Sequence, residues 1–127
     1  MGRKAPFNVF VSSTYRDLKD ERELVIKAVK EVCNAIGMEK FFPDEKCILK
    51  VCLENLKKCD IYIGIVGSRY GTIIPEEQLK EVEGEKAKNY EGLSFTHYEF
   101  RKAGELKLPR AVFIKSEESK EKGVEEF

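Results

Sequence analysis

The chain has 127 residues, 42% of them apolar and 36% charged, the length and balance of one globular domain with a core of its own. Lys plus Arg and Asp plus Glu each number 23, so the net charge is zero and neither nucleic-acid nor membrane binding through a basic face is expected. No stretch approaches the roughly 20 apolar residues of a membrane-spanning helix, and MGRKAPF lacks a signal-peptide core, so a cytoplasmic location is expected.

In chain order, Phe7–Val11 (FNVFV) is apolar, β-branched and aromatic, the pattern of a buried strand. Three hydroxyl residues follow, Ser12, Ser13 and Thr14. Leu24, Val25, Ala28, Val29, Val32, Cys33 and Ile36 then recur at helical spacing, which predicts a helix over roughly 17–36 with Gly37 as its terminator. Met38–Phe42 (MEKFF), closed by Pro43, is a short strand candidate. Asp44 is placed to cap a second helix whose stripe is Ile48, Val51, Cys52 and Leu56. Asp60–Gly67 (DIYIGIVG) is apolar almost throughout, as a central strand of a parallel sheet must be when both faces are covered.

From Ser68 to Leu93 the pattern degrades into a long loop, with a short helix at about 76–82, and residues 71–93 are expected to act as a lid. Ser94–Lys107 (SFTHYEFRKAGELK) reads as a third helix and Pro109–Lys115 (PRAVFIK) as a fourth strand. The division is a domain over 1–115 and a charged helix or linker over 116–127.

This βα alternation implies an α/β fold: a doubly wound parallel sheet in three αβα layers, strand order 2-1-3-4, built by right-handed crossovers. In such sheets ligands sit at the carboxyl ends of the strands, at the switch point between the first and third. That rule gathers Ser12, Ser13, Thr14 and Asp17 with Gly67, Ser68, Arg69 and Tyr70, and with Ser94 and Thr96 at the start of the third helix.

Several chemistries are excluded. There is no GxGxxG turn after the first strand and no GxxxxGK[ST] loop. A phospho-acceptor receiver needs acids at strand ends that hold Ser12 and Gly67 here. Cys33, Cys47, Cys52 and Cys59 form no CxxC pair, and His97 alone completes no zinc set, so no metal is expected and the thiols read as reduced and mostly buried.

What remains is hydroxyls, Arg69, Tyr70 and one carboxylate, Glu99. The hydroxyls can hold a ribose or phosphate beside a helix start, Arg69 can pair with an anion, and Tyr70 can stack on a base. Glu99 is the candidate catalytic group, since a carboxylate can attack the anomeric carbon of a ribose as its base departs. Each has a plain structural alternative. Thr14 with Asp17, Asp20 with Glu23, and Thr96 with Glu99 all fit capping boxes; Arg22 fits a solvated helix charge, Tyr70 a core residue beside a turn, and His97 a partly exposed helix residue.

VFVSSTYRDLKDER, CDIYIGIVGSRYGT and GLSFTHYEFRKA together resemble an uncharacterised TIR-like domain family found ahead of NACHT or related ATPase and repeat modules. That family is similar to TIR domains and nucleoside 2-deoxyribosyltransferases. The resemblance covers about residues 7–115 and implies a flavodoxin-like sheet of four to five strands and a nucleotide or nucleoside ligand. It further implies cleavage or transfer of an N-glycosidic bond, with NAD or a deoxynucleoside as substrate and no resident cofactor. Thr96-His97-Tyr98-Glu99 matches the T-x-x-E part of the transferase motif, with Phe95 where a glycine would stand, so Glu99 inherits the nucleophile's position. A homodimer or higher oligomer is also implied. The reading from another class is a non-enzymatic interaction or oligomerisation module of a larger signalling protein.

Overall fold

A computed structural model describes residues 7–14, 18–37, 48–67 and 70–114. The predicted strand at Met38–Phe42, the Asp44 cap, Cys47, Asp17, Ser68, Arg69 and the segment 116–127 lie outside the described residues. The elements are β1 (Asn8–Ser13), α1 (Lys19–Lys30), β2 (Asn34–Gly37), α2 (Ile48–Lys57), β3 (Ile61–Val66), α3 (Glu76–Glu83), α4 (Phe95–Glu105) and β4 (Arg110–Ile114). A 3₁₀ helix, Gly84–Tyr90, continues from α3.

The four strands form one parallel sheet in the order β2-β1-β3-β4, a flavodoxin-like α/β arrangement. β1 and β3 are central because their side chains are apolar on both faces. Val9 and Val11 pack with Leu18, Ile65, Val25 and Val29 on the α1 side. Phe10 lies on the opposite face with Leu56, Tyr62 and Ala103, from α2, β3 and α4. Each of these large apolar side chains contributes about 1.5–3 kcal/mol by leaving water.

The first helix is shorter than its spacing predicts. α1 ends at Lys30, and the residues read as its last turn form β2. Val32 and Ile36 are four apart and suit a helical stripe, but a parallel ladder with β1 competes for the same backbone. The ladder wins with Asn34 N–H donating to the Phe7 carbonyl at 3.0 Å and the Asn34 amide donating to Asn8 Oδ1 at 3.2 Å. Gly37 therefore pairs with Val11 instead of ending a helix.

The predicted long loop is largely ordered helix. α3 and the 3₁₀ helix bury Leu79, Ala87 and Tyr90 against Leu49 and Tyr98, and Ile74 joins that cluster. The segment before α3 is tied to the start of α4: Phe95 N–H donates to the Thr72 carbonyl at 3.0 Å and Ile74 N–H to the Leu93 carbonyl at 3.0 Å. These contacts make 70–90 a packed wall of the domain and not a free lid.

β4 borders the sheet. Val112 packs inward, whereas Phe113 and Ile114 are 59% and 44% exposed. No helix among the described residues is long and apolar enough to cross a membrane.

Candidate functional site

β1 ends in two consecutive serines, and the pleat sends their hydroxyls to opposite faces of the sheet. Ser12 Oγ, on the α4 face, donates to Glu99 Oε1 at 2.6 Å. Ser13 Oγ, on the α1 face, accepts from Arg22 Nη1 at 3.5 Å. Thr14 turns back to β3, where its hydroxyl oxygen accepts from Gly67 N–H at 3.1 Å.

α4 is held over these strand ends by its first turn. Ser94 is the N-cap, its Oγ accepting from His97 N–H at 3.2 Å. Thr96 Oγ1 donates to the Ser13 carbonyl at 2.9 Å, and the Tyr62 hydroxyl donates to the Thr96 carbonyl at 3.2 Å. The Tyr70 hydroxyl and His97 Nδ1 are hydrogen-bonded, with the rings edge to face.

Two of the capping alternatives, Asp20 with Glu23 and Thr96 with Glu99, are thus not what the described residues do, and the third, Thr14 with Asp17, lies partly outside them. Ser94, not Thr96, caps α4; the N-cap of α1 is Leu18, with no side-chain cap; and Thr14 serves β3. Arg22 is buried within α1 instead of solvated, and His97 is buried instead of partly exposed.

Glu99 has 0% exposure. Burial pushes its carboxyl up to about 7, against the lowering effects of the Ser12 hydroxyl, the Cys52 thiol and the Arg22 charge. The thiol is a weak donor, and Oε2 carries no hydrogen bond of ordinary geometry. A carboxyl balanced near neutrality can accept a proton or act as a nucleophile when ionised. Burial and the Glu99 charge push the Tyr62 hydroxyl up, so it remains a neutral donor.

Of the predicted site residues, Ser12, Ser13, Thr96 and Glu99 meet at one strand end. Thr14, Gly67, Ser94 and Tyr70 border it, each with a polar atom engaged inside the protein. Arg22 and Cys52 are additions to the site. Their signal was positional: Arg22 falls in the inward-facing stripe Leu18, Arg22, Val25, Val29, whose valines are half-buried, and Cys52 in the buried stripe Leu49, Cys52, Leu56. A polar side chain at an apolar helical register belongs to the interior.

A family model matches residues 8–127, nearly the whole chain. The chain belongs to the family described as Domain of unknown function (DUF4062). Among relatives of this DUF4062 chain, Telomerase protein component 1 of Mus musculus is 31% identical over a match covering 58% of the chain and 3% of the relative. The Rattus norvegicus counterpart is 30% identical over the same shares. A TPR repeat-containing protein of Dictyostelium discoideum is 28% identical, covering 73% of the chain and 7% of the relative. The DUF4062 chain therefore spans only a small fraction of these relatives' length. No solved structure matches it.

Proposed function

We propose that this DUF4062 domain is a TIR-like module that binds a nucleotide or nucleoside at the β1/β3 switch point and acts on its N-glycosidic bond. The observation that carries the reading is Glu99: a fully buried carboxyl with one oxygen on the Ser12 hydroxyl and only the weak Cys52 thiol donor beside that. Burying such a group is costly, and a catalytic role is one that would offset the cost.

In the proposed reaction, ionised Glu99 attacks C1′ of the ribose. The C1′–N bond breaks and its electron pair leaves with the base. Water then adds to C1′ and the C1′–carboxylate bond breaks; the water's proton passes to the departed base of a deoxynucleoside, which leaves as an anion, or to solvent when nicotinamide leaves NAD as a neutral molecule. Ser12 holds the carboxylate in place throughout. Because Glu99 is sealed in this conformation, substrate entry requires the strand end and the α4 start to separate.

The test is to incubate purified protein, dilute and crowded, with NAD and deoxynucleosides and follow released base by chromatography. Release that disappears in Glu99→Gln supports the reading; no release under any condition removes the enzymatic part.

The interaction-module reading has its own support in the Phe113 and Ile114 side chains exposed on the border strand. It also fits a domain that forms a small part of long relatives. Self-association abolished by Phe113→Glu would favour it.

A further inference from the structure

Arg22 is the one buried residue of α1, at 5% exposure, although the helix is otherwise half-exposed or exposed along its apolar stripe. Arginine is almost never fully buried without an electrostatic reason. Its guanidinium reaches the carboxyl end of β1, where Nη1 donates to Ser13 Oγ at 3.5 Å. One residue earlier, on the other face of the same strand, Ser12 holds Glu99. A guanidinium and a carboxyl are thus buried around one strand end, on opposite faces of β1 and close enough for the Arg22 charge to favour the ionised form of Glu99.

A substrate matching that arrangement carries an anion at one end and develops positive charge at the other. A nucleoside 5′-phosphate does both: its phosphate suits the planar guanidinium fork, and its anomeric carbon becomes cationic as the base leaves. A free nucleoside offers Arg22 no anion.

We infer that Arg22 and Ser13 form an anion subsite for the phosphate of a nucleotide, making the substrate class phosphorylated nucleosides and not free ones. This rests on the reading of Glu99 as the centre of a nucleoside site. The rival role for Arg22 is a structural counter-charge to Glu99. Under that role Arg22→Met changes the titration of Glu99 but leaves ligand preference untouched.

The experiment titrates the full chain with deoxyadenosine 5′-monophosphate and with deoxyadenosine by calorimetry, in wild type, Arg22→Met, Arg22→Lys and Ser13→Ala, each checked for folding by circular dichroism. Wild type is expected to bind the monophosphate roughly tenfold or more tightly than the nucleoside, the worth of a charge-assisted hydrogen bond. Inorganic phosphate should compete with the monophosphate. Arg22→Met should erase the preference while keeping nucleoside affinity, and Arg22→Lys should retain only part of it. If Arg22→Met does not fold, the reduced preference in Arg22→Lys and Ser13→Ala carries the test. Equal binding of both ligands by wild type overturns the subsite and leaves the nucleoside reading standing. A preference unchanged in every folded variant also overturns the subsite. Binding of neither ligand overturns both.

Discussion

Ser12 Oγ donates to Glu99 Oε1 at 2.6 Å across 87 positions of sequence, fastening the end of β1 to the interior of α4. The bond holds a carboxyl whose proton affinity is raised from 4.5 to about 7, chiefly by burial. A raised folded value means the native state holds this proton more tightly than the unfolded chain. The contribution to stability is complete below about 4.5 and is lost as pH rises through about 7. That difference corresponds to roughly 3 kcal/mol. Glu99→Gln keeps the shape without the titration, so relative to wild type it should gain stability between pH 5 and pH 8 by an amount on that order. Urea denaturation at both pH values measures it; parallel pH curves for the two proteins would sink the assignment.

Ser12→Ala removes the largest of the influences that lower Glu99. The carboxyl should titrate above about 7 in the variant, seen as a displaced ¹³C side-chain resonance. Stability should fall by about 1–3 kcal/mol at pH 8, where the charged form loses its donor, and by less at pH 5. Equal losses at the two pH values would mean that the hydroxyl serves packing alone.

The strand order and the convergence of Ser12, Thr96 and Glu99 were legible because βα alternation and the switch-point rule depend only on element type and sequence. The exact role of each polar atom was not. T-x-x-E at Thr96–Glu99 fits a capping box by spacing, yet Ser94, two residues earlier, takes the cap and frees Thr96 for the Ser13 carbonyl. The β2 boundary was equally hidden, since Val32 and Ile36 satisfy a helical period and only pairing with β1 decides between the two. Glu99 and Arg22 could have been assigned to the interior from their helical registers alone, because each occupies a core position of an amphipathic helix.

The wall formed by α3 and the 3₁₀ helix is clasped to α4 by a polar cluster. The Tyr98 hydroxyl donates to Glu83, Lys102 Nζ lies 2.8 Å from Glu83 and 3.2 Å from Glu105, and the Tyr90 hydroxyl donates to Glu105 at 2.7 Å. The Lys102 ammonium also sits 5.0 Å from the Tyr90 ring centroid. Glu83→Ala leaves a buried hydroxyl without its acceptor and should cost about 1–3 kcal/mol. Glu83→Gln keeps an acceptor and should cost less, with a salt dependence weaker than that of wild type. Hydrogen exchange should speed up over 76–90 while the β1 and β3 amides stay protected. Uniform acceleration across the sheet would show that the clasp holds the whole fold.

Gly64 makes room on β3 for the ring of Tyr62. A Cβ at Gly64 would stand 3.0 Å from the Tyr62 hydroxyl oxygen and 3.1 Å from Cε1. The ring has little freedom to retreat: it is fully buried, stacked on Phe10 with centroids 6.1 Å apart, and held by the Thr96 carbonyl at 3.2 Å. Gly64→Ala should therefore destabilise by about 1–3 kcal/mol through overpacking. Since the hydroxyl is the nearest atom, Tyr62→Phe should relieve part of the clash. The double variant is then less destabilised than the sum of the two single changes, by about 0.5 kcal/mol or more. Simple additivity in denaturant melts would show that the added methyl meets its resistance elsewhere.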